Sequence, residues 1–228
     1  MRIIHFFILA TLLITSCEQE NDEVITVTED DPTTITDIDG NTYHTVRIGT
    51  QLWLVENLRT TRFQNGDLIN ELDESNSEIS SFASYNNDEN LAKTYGYLYN
   101  ENAARDVRKI APKGWHVPSG KEWLVLLNYV ENRSEKLKIK GSTHWINGNS
   151  DATNESGFTA LPGGEYNFTF NRFGFLGSEG NWWLSESLVD PGLNDSRFNI
   201  STTGSGHKSI GFVTFHEGNL YSIRCIRD

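Results

Sequence analysis

Cysteine is almost missing. The 228 residues contain two, Cys17 and Cys225, too few for the disulfide framework that holds small secreted scaffolds together. Cations are also short, with 19 Lys and Arg against 31 Asp and Glu and a net charge of −12. Phosphate binding needs clustered Lys and Arg, so a nucleic-acid partner is excluded. After the N-terminal stretch, no apolar run is long enough to cross a bilayer. Catalytic signatures are missing too. His44, His116, His144, His207 and His216 share no metal-ligand spacing such as H-E-x-x-H, and there is no G-x-S-x-G elbow or phosphate-cradling glycine loop. Glu165 and Glu186 read as single acids without a partner for glycosidase chemistry. No catalytic residue, metal ligand or cofactor site is therefore expected, although sites are assembled in space.

What is present points to a loop-rich α+β domain. Hydrophobic residues make up 37%, aromatics 11% with six Trp, and there are 19 Gly, a mix that disfavours a helical bundle. The length suits one domain with an ample core.

The N-terminus reads as a processing segment. Arg2 precedes the nearly continuous apolar run Ile3–Ile14, and Ile14-Thr15-Ser16-Cys17 matches the bacterial lipobox. Residues 1–16 are expected to be a lipoprotein signal peptide, with Cys17 as the acylated residue. Several acyl chains, each methylene contributing ~0.8 kcal/mol, make such an anchor effectively permanent. Residues 17–32 are an acidic tether that includes Glu18, Glu20, Asp22 and Glu23. They are too polar to fold alone and serve either as a surface-export signal or as a solvated linker.

The domain, residues 33–228, is organised around Gly114-Trp115-His116-Val117-Pro118-Ser119-Gly120-Lys121-Glu122-Trp123. Pro118 holds Val117 extended. Ser119 and Glu122 form a capping box. Trp123, Leu126, Leu127 and Val130 then make an apolar stripe along a helix. His116 is expected to pack or hydrogen-bond beside Trp115. Before this stretch, residues 34–48 read as a hairpin around Asp39-Gly40, and Asp37, Asp39 and Asn41 read as turn residues rather than a calcium loop, because Thr42 and Ile48 stand where that loop needs Gly and Glu. Residues 63–90 read as a long polar loop, Tyr95–Tyr99 as a strand, and Asn100 or Asn102 as the cap of a short helix. Further on, Lys136–Lys140 reads as an edge strand. Tyr166, Phe168 and Phe170 alternate as a strand that Phe173-Gly174-Phe175 continues. Asn181–Ser185 reads as a central strand with Trp182 and Trp183 on opposite sides, followed by strands at 198–201, 211–215 and 220–226. The last of these is expected beside the first hairpin.

Gly-Trp-His-Val-Pro-x-x-x-Glu-Trp resembles the signature of the Fibrobacter succinogenes major paralogous domain. Further landmarks agree in order: Asp39–Tyr43, Ile48–Trp53, Glu56-Asn57-Leu58, Tyr95–Asn100, Gly157–Gly164, Trp182–Ser185 and Ile223–Asp228. The resemblance covers roughly residues 36–228. It implies a C-type lectin-like fold, distantly similar to formylglycine-generating enzymes, with small twisted antiparallel sheets and one or two packed helices. It also implies a secreted or surface lipoprotein at the outer membrane. Some relatives carry a Cys where this chain has Ala111, paired with the one matching Cys225, so that bridge is missing here. Cys225 is expected to be a buried small apolar residue. The copper-handling cysteine pair of formylglycine-generating enzymes and the calcium-binding sugar motifs of C-type lectins are both absent.

What remains is aromatic and polar surface. Trp145 with Asn147 and Asn149, Tyr166 with Asn167, and Asn171 with Arg172 are the candidate ligand-binding residues. Indole and phenol rings stack on sugar faces while amides take the hydroxyls; the competing expectation is that these rings complete the core. The expected protein is lipid-anchored through Cys17, surface-exposed and non-catalytic, and binds glycans or a surface protein. An envelope enzyme acting on glycans and a purely structural component are the alternatives.

Overall fold

The computed structural model describes residues 31–146, 149–186, 195–202, 208–214 and 217–228. The expected signal peptide, Cys17 and the tether to residue 30 lie outside the described residues. So do Asn147, His207, Phe215 and His216. In chain order the elements are β1 (Thr34–Thr36), β2 (Thr42–Ile48), β3 (Gln51–Leu54), β4 (Asn70–Glu71), β5 (Ser81–Ala83), α1 (Glu89–Tyr95), β6 (Leu98–Tyr99) and α2 (Glu101–Ala104). There follow β7 (Trp115–His116), α3 (Gly120–Tyr129), β8 (Glu165–Asn167), β9 (Arg172–Gly174), β10 (Glu179–Trp183), β11 (Asp195–Thr202), β12 (Lys208–Thr214) and β13 (Ile226–Arg227).

The central sheet runs β1-β2-β3-β13-β7, with every pair antiparallel. Both of its faces are covered. Tyr43, Leu52, Leu54, Trp115 and Cys225 belong to one core, and Ile48, Trp53 and Ile226 to the other. Leu52-Trp53-Leu54 thus divides its side chains between two cores, as the period of two in a strand requires. The end of the chain lies one strand from β2, because β13 pairs with β3 and Leu54 N–H donates to Cys225 O. The two ends of the described chain meet: Arg227 reaches Asp31 at 3.1 Å, and Arg47 holds the same carboxylate at 2.6 Å.

α3 covers the second core. Trp123 and Leu126 have no exposed surface, whereas Leu124 and Val125 on the other side are exposed. The Trp123 ring stacks on Phe198 at 4.3 Å and lies 4.9 Å from Trp53. The capping box is formed: Ser119 N–H donates to Glu122 Oε2 at 2.7 Å, and Glu122 N–H donates to Ser119 Oγ at 3.3 Å. The other Glu122 oxygen and Asp228 each lie 2.8 Å from one His116 ring nitrogen, so this imidazole ties the helix start to residue 228.

Those contacts carry a pH dependence. The hydrogen bond to Glu122 holds the His116 pKa above 6.5, aided by Asp228 and opposed by desolvation. Its contribution to stability is whole below 6.5 and lost as pH rises through the raised value. Burial opposes ionisation of Glu122, but His116 and Ser119 outweigh it and bring the carboxyl down to about 2. That contribution is whole above 4.5 and fades as pH falls toward about 2. Unfolding midpoints should therefore decline on the alkaline side, and His116→Gln should flatten that limb. A native midpoint constant from about pH 6 to 9 would refute the coupling.

Several local expectations are corrected. Tyr95 ends helix α1, which Asp88 caps by accepting from Asn90 N–H, and Gly96 stops the helix at φ +78°. A Cβ at Gly96 would sit 2.7 Å from Asn57 Cβ, so glycine is required there. Only Leu98–Tyr99 is strand. The polar stretch before it contains β4 and β5, and Asn100 caps α2 by accepting from Ala103 N–H at 3.0 Å. In place of an edge strand over 136–140, a 3-10 turn at Ser134–Lys136 is followed by a single bridge, Lys138 to Ala160; Leu137 and Lys138 are both buried and leave no outward face. Residues 172–174 turn back on 165–167 as a hairpin instead of extending it. The first hairpin closes through five residues, not two. Asp37 Oδ1 accepts from the amides of Asp39 and Asn41, and Tyr43 O–H donates to Asp37 Oδ2 at 2.6 Å. Trp182 and Trp183 do face opposite cores, and Cys225 is fully buried, with burial pushing its thiol pKa up.

Candidate functional site

β10, β11 and β12 form a three-stranded antiparallel sheet. Trp182, Phe198, Ile200 and Phe212 point into the second core. The residues between them line up on the opposite face. Glu179 pairs with Ser201, Asn181 with Asn199, Ser201 with Ser209, and Asn199 with Gly211. That face is a polar ladder. Asn199 donates to Asn181 Oδ1 at 2.7 Å, Asn181 donates to Glu179 Oε2 at 3.3 Å, and the Ser201 and Ser209 hydroxyls are 2.7 Å apart.

The ladder has a closed end and an open end. At the closed end Arg197 donates to Glu165 Oε2 at 2.7 Å, and its guanidinium lies 4.6 Å from the Tyr221 ring centre. Glu165, Asn181 and Tyr221 are buried there. The Arg197 Nε–H is buried without a hydrogen-bond partner among the described residues. At the open end Ser209 is exposed. Gly211 faces Asn199 without a side chain, and a Cβ there would meet nothing within 4 Å. The result is a shallow polar trough whose accessible side chains are Glu179, Ser201 and Ser209, with Asn181 and Asn199 buried in its floor.

Electrostatics set the trough apart from an ordinary sheet surface. Burial raises the Glu179 pKa, and the negative Glu165 adds to it against the pull of Asn181, Arg197 and Asn199. Burial likewise pushes the Tyr221 phenol up to about 12. The Glu179 carboxyl accepts from the Asn181 and Asn199 amides. Beside it the Ser201 and Ser209 hydroxyls, each able to donate and accept, give mixed donors and acceptors along one surface. Glu165 is not a lone acid: Arg197 is its ion-pair partner and Glu179 its neighbour. Among the described residues no His, Cys, Asp and Glu cluster is arranged to hold a metal ion.

The residues singled out from the sequence fall elsewhere. Trp145 has no exposed surface, and its indole N–H donates to Ala160 O at 3.0 Å. Asn149 is buried and donates to Ile139 O at 2.8 Å and to Gly141 O. Trp145 is therefore a core side chain with no face for a sugar ring, and Asn149 braces a loop. Tyr166 is also buried; its ring packs on Phe173 at 5.0 Å and its hydroxyl donates to Asn171 Oδ1. Asn167, Asn171 and Arg172 share the β8–β9 hairpin with Tyr166, apart from Trp145. There Asn167 accepts from Phe170 N–H at 3.1 Å, Asn171 donates to Glu74 at 2.8 Å, and Arg172 lies over the exposed Phe170 ring at 5.3 Å.

Fold and trough together define a mixed α/β domain of small antiparallel sheets with few helices. The chain belongs to the Fibrobacter succinogenes major domain family, whose model matches residues 46–227. β1 and the first half of β2 precede the match. Neither a curated protein nor a solved structure matches the chain.

Proposed function

We propose that this is a lipid-anchored, surface-exposed outer-membrane protein with a C-type lectin-like scaffold, and that its polar trough binds glycans without catalysis. The observation that carries the reading is the polar face on which Glu179, Ser201 and Ser209 are accessible, backed by the buried amides of Asn181 and Asn199. Sugar hydroxyls are both donors and acceptors. They need partners of both kinds at sheet spacing, and the Ser201 and Ser209 hydroxyls, which can donate and accept, with the part-exposed Glu179 carboxyl supply them. The Ile14–Cys17 lipobox and the acidic residues after it support the anchor and the surface address.

A second reading, an enzyme acting on glycans, draws on the raised pKa of Glu179 next to Glu165. Against it, Glu165 is buried and committed to Arg197.

A glycan array separates the two. The native chain should bind a subset of glycans. Ser209→Trp, which fills the open end from an exposed position, should weaken that binding by about tenfold or more with the melting temperature held. Silence across the array, combined with turnover on a polysaccharide panel, would overturn the binding reading in favour of the enzyme.

A further inference from the structure

A cleft of about 220 Å³ opens between the segment that follows α2 and strand β7, away from the trough. Its apolar wall is Ala104, Ile110, Ala111, Trp115 and Val117. An apolar cavity of roughly 150 Å³ holds benzene, so this one has room for a six-membered ring with a short substituent.

Two residues that line the cleft carry donors with no side-chain partner among the described residues. The indoles of Trp53, Trp145, Trp182 and Trp183 donate to Gln51, Ala160, Asn57 and Tyr99. Trp115 is 4% exposed, yet its indole N–H has no acceptor among the described residues. Lys109 is the second donor. Arg105 pairs with Glu101, and Arg108 with Asp106 and Asp67, but Lys109 has no ion pair among the described residues. Its backbone is held at φ +59°, in the left-handed region that lysine seldom occupies. The acid that borders the cleft, Asp106, is already neutralised by Arg108 at 2.7 Å. His116 at the rim is occupied by Glu122 and Asp228.

We propose that this cleft binds a small amphipathic carboxylate. An aryl or branched alkyl body rests on Ile110, Ala111 and Val117, and the carboxylate meets the Lys109 ammonium and the Trp115 indole N–H. An ammonium and an N–H are the donors that a carboxylate accepts. The apolar wall rejects inorganic anions, and the unpaired ammonium favours the acid over a neutral analogue. The site is separate from the trough and does not depend on the glycan reading.

The test is a titration of the ¹⁵N-labelled protein with benzoate and phenylacetate, followed at the assigned Trp115 indole N–H. A saturable shift is expected with both acids, and benzyl alcohol should bind about tenfold more weakly. Lys109→Glu, an exposed change, should weaken benzoate binding by about tenfold or more, while Lys113→Glu, the same charge change outside this cleft, should leave it within about twofold. No saturable shift up to about 20 mM would overturn the proposal. So would equal binding of the alcohol, or equal losses from the two lysine variants.

Discussion

Arg224→Met should cost on the order of 3–5 kcal/mol of stability, lowering the melting temperature by roughly 6–20 °C for a domain of this size. Arg224 has no exposed surface. Its guanidinium donates to Asn57 Oδ1 at 2.8 and 3.1 Å, to Leu54 O at 3.1 Å and to Phe158 O at 2.7 Å, and lies 4.4 Å from the Phe158 ring centre. Burial pulls its pKa down to about 9, so it stays charged at neutral pH. This one side chain links β3, the segment after it, and the loop around Phe158. Methionine keeps the apolar stem but is shorter and offers no donor, leaving Phe158 O without its N–H in a dry setting. Arg224→Lys should fail almost as badly, because an ammonium on a single stem does not reach acceptors spread along the guanidinium fork. Urea unfolding followed by circular dichroism measures the loss. A cost under about 1 kcal/mol would show that the network relaxes and that the three segments are held by packing alone.

Trp123→Ala should cost a similar amount, about 3–5 kcal/mol, for a different reason. Here no hydrogen bond is lost. The Trp123 indole nitrogen is buried with no hydrogen-bond partner among the described residues, so the stabilisation is shape. Phe198 stacks on one face, Trp53 packs at a tilt, and Phe158 meets the ring edge-on at 5.8 Å. Alanine leaves a void between α3 and the central sheet. Trp123→Phe keeps most of the volume and removes an unsatisfied donor whose burial itself costs ~1–3 kcal/mol, so its net cost should be under about 2 kcal/mol. The contrast is the measurement. If phenylalanine proves as damaging as alanine, the indole N–H has a role that packing does not explain.

Features with short-range causes were legible in the sequence. The capping box needs residues three apart, and the stripe from Trp123 to Val130 needs only helical spacing. The division of Trp182 and Trp183 between two cores follows from strand period alone. Features set by distant partners were not. Asn57 and Arg224 lie 167 residues apart, and nothing local to either announces their contact. Trp145 looks like surface because its neighbours in sequence are Asn, Gly and Ser, yet Lys138 lies over its ring at 5.3 Å and Ala160 accepts its N–H. The trough did leave a trace. Arg197-Phe198-Asn199-Ile200-Ser201 alternates polar and apolar residues, the pattern of a strand with one outward face. What the alternation lacked was the register with β10 that brings Glu179 and Asn181 alongside, and that register is a tertiary fact. Glu165 looked solitary for the same reason, with Arg197 32 residues further along the chain.

The meeting of Arg227 with Asp31 has a topological consequence. Because the two ends of the described backbone sit side by side, the path is nearly a closed ring, and the order in which its segments are synthesised is almost arbitrary. A short linker from residue 228 to residue 31 would close that ring. New ends could then be opened at the exposed Ser75-Asn76 turn, which belongs to neither main core. Such a permuted chain would keep every strand neighbour of the central sheet.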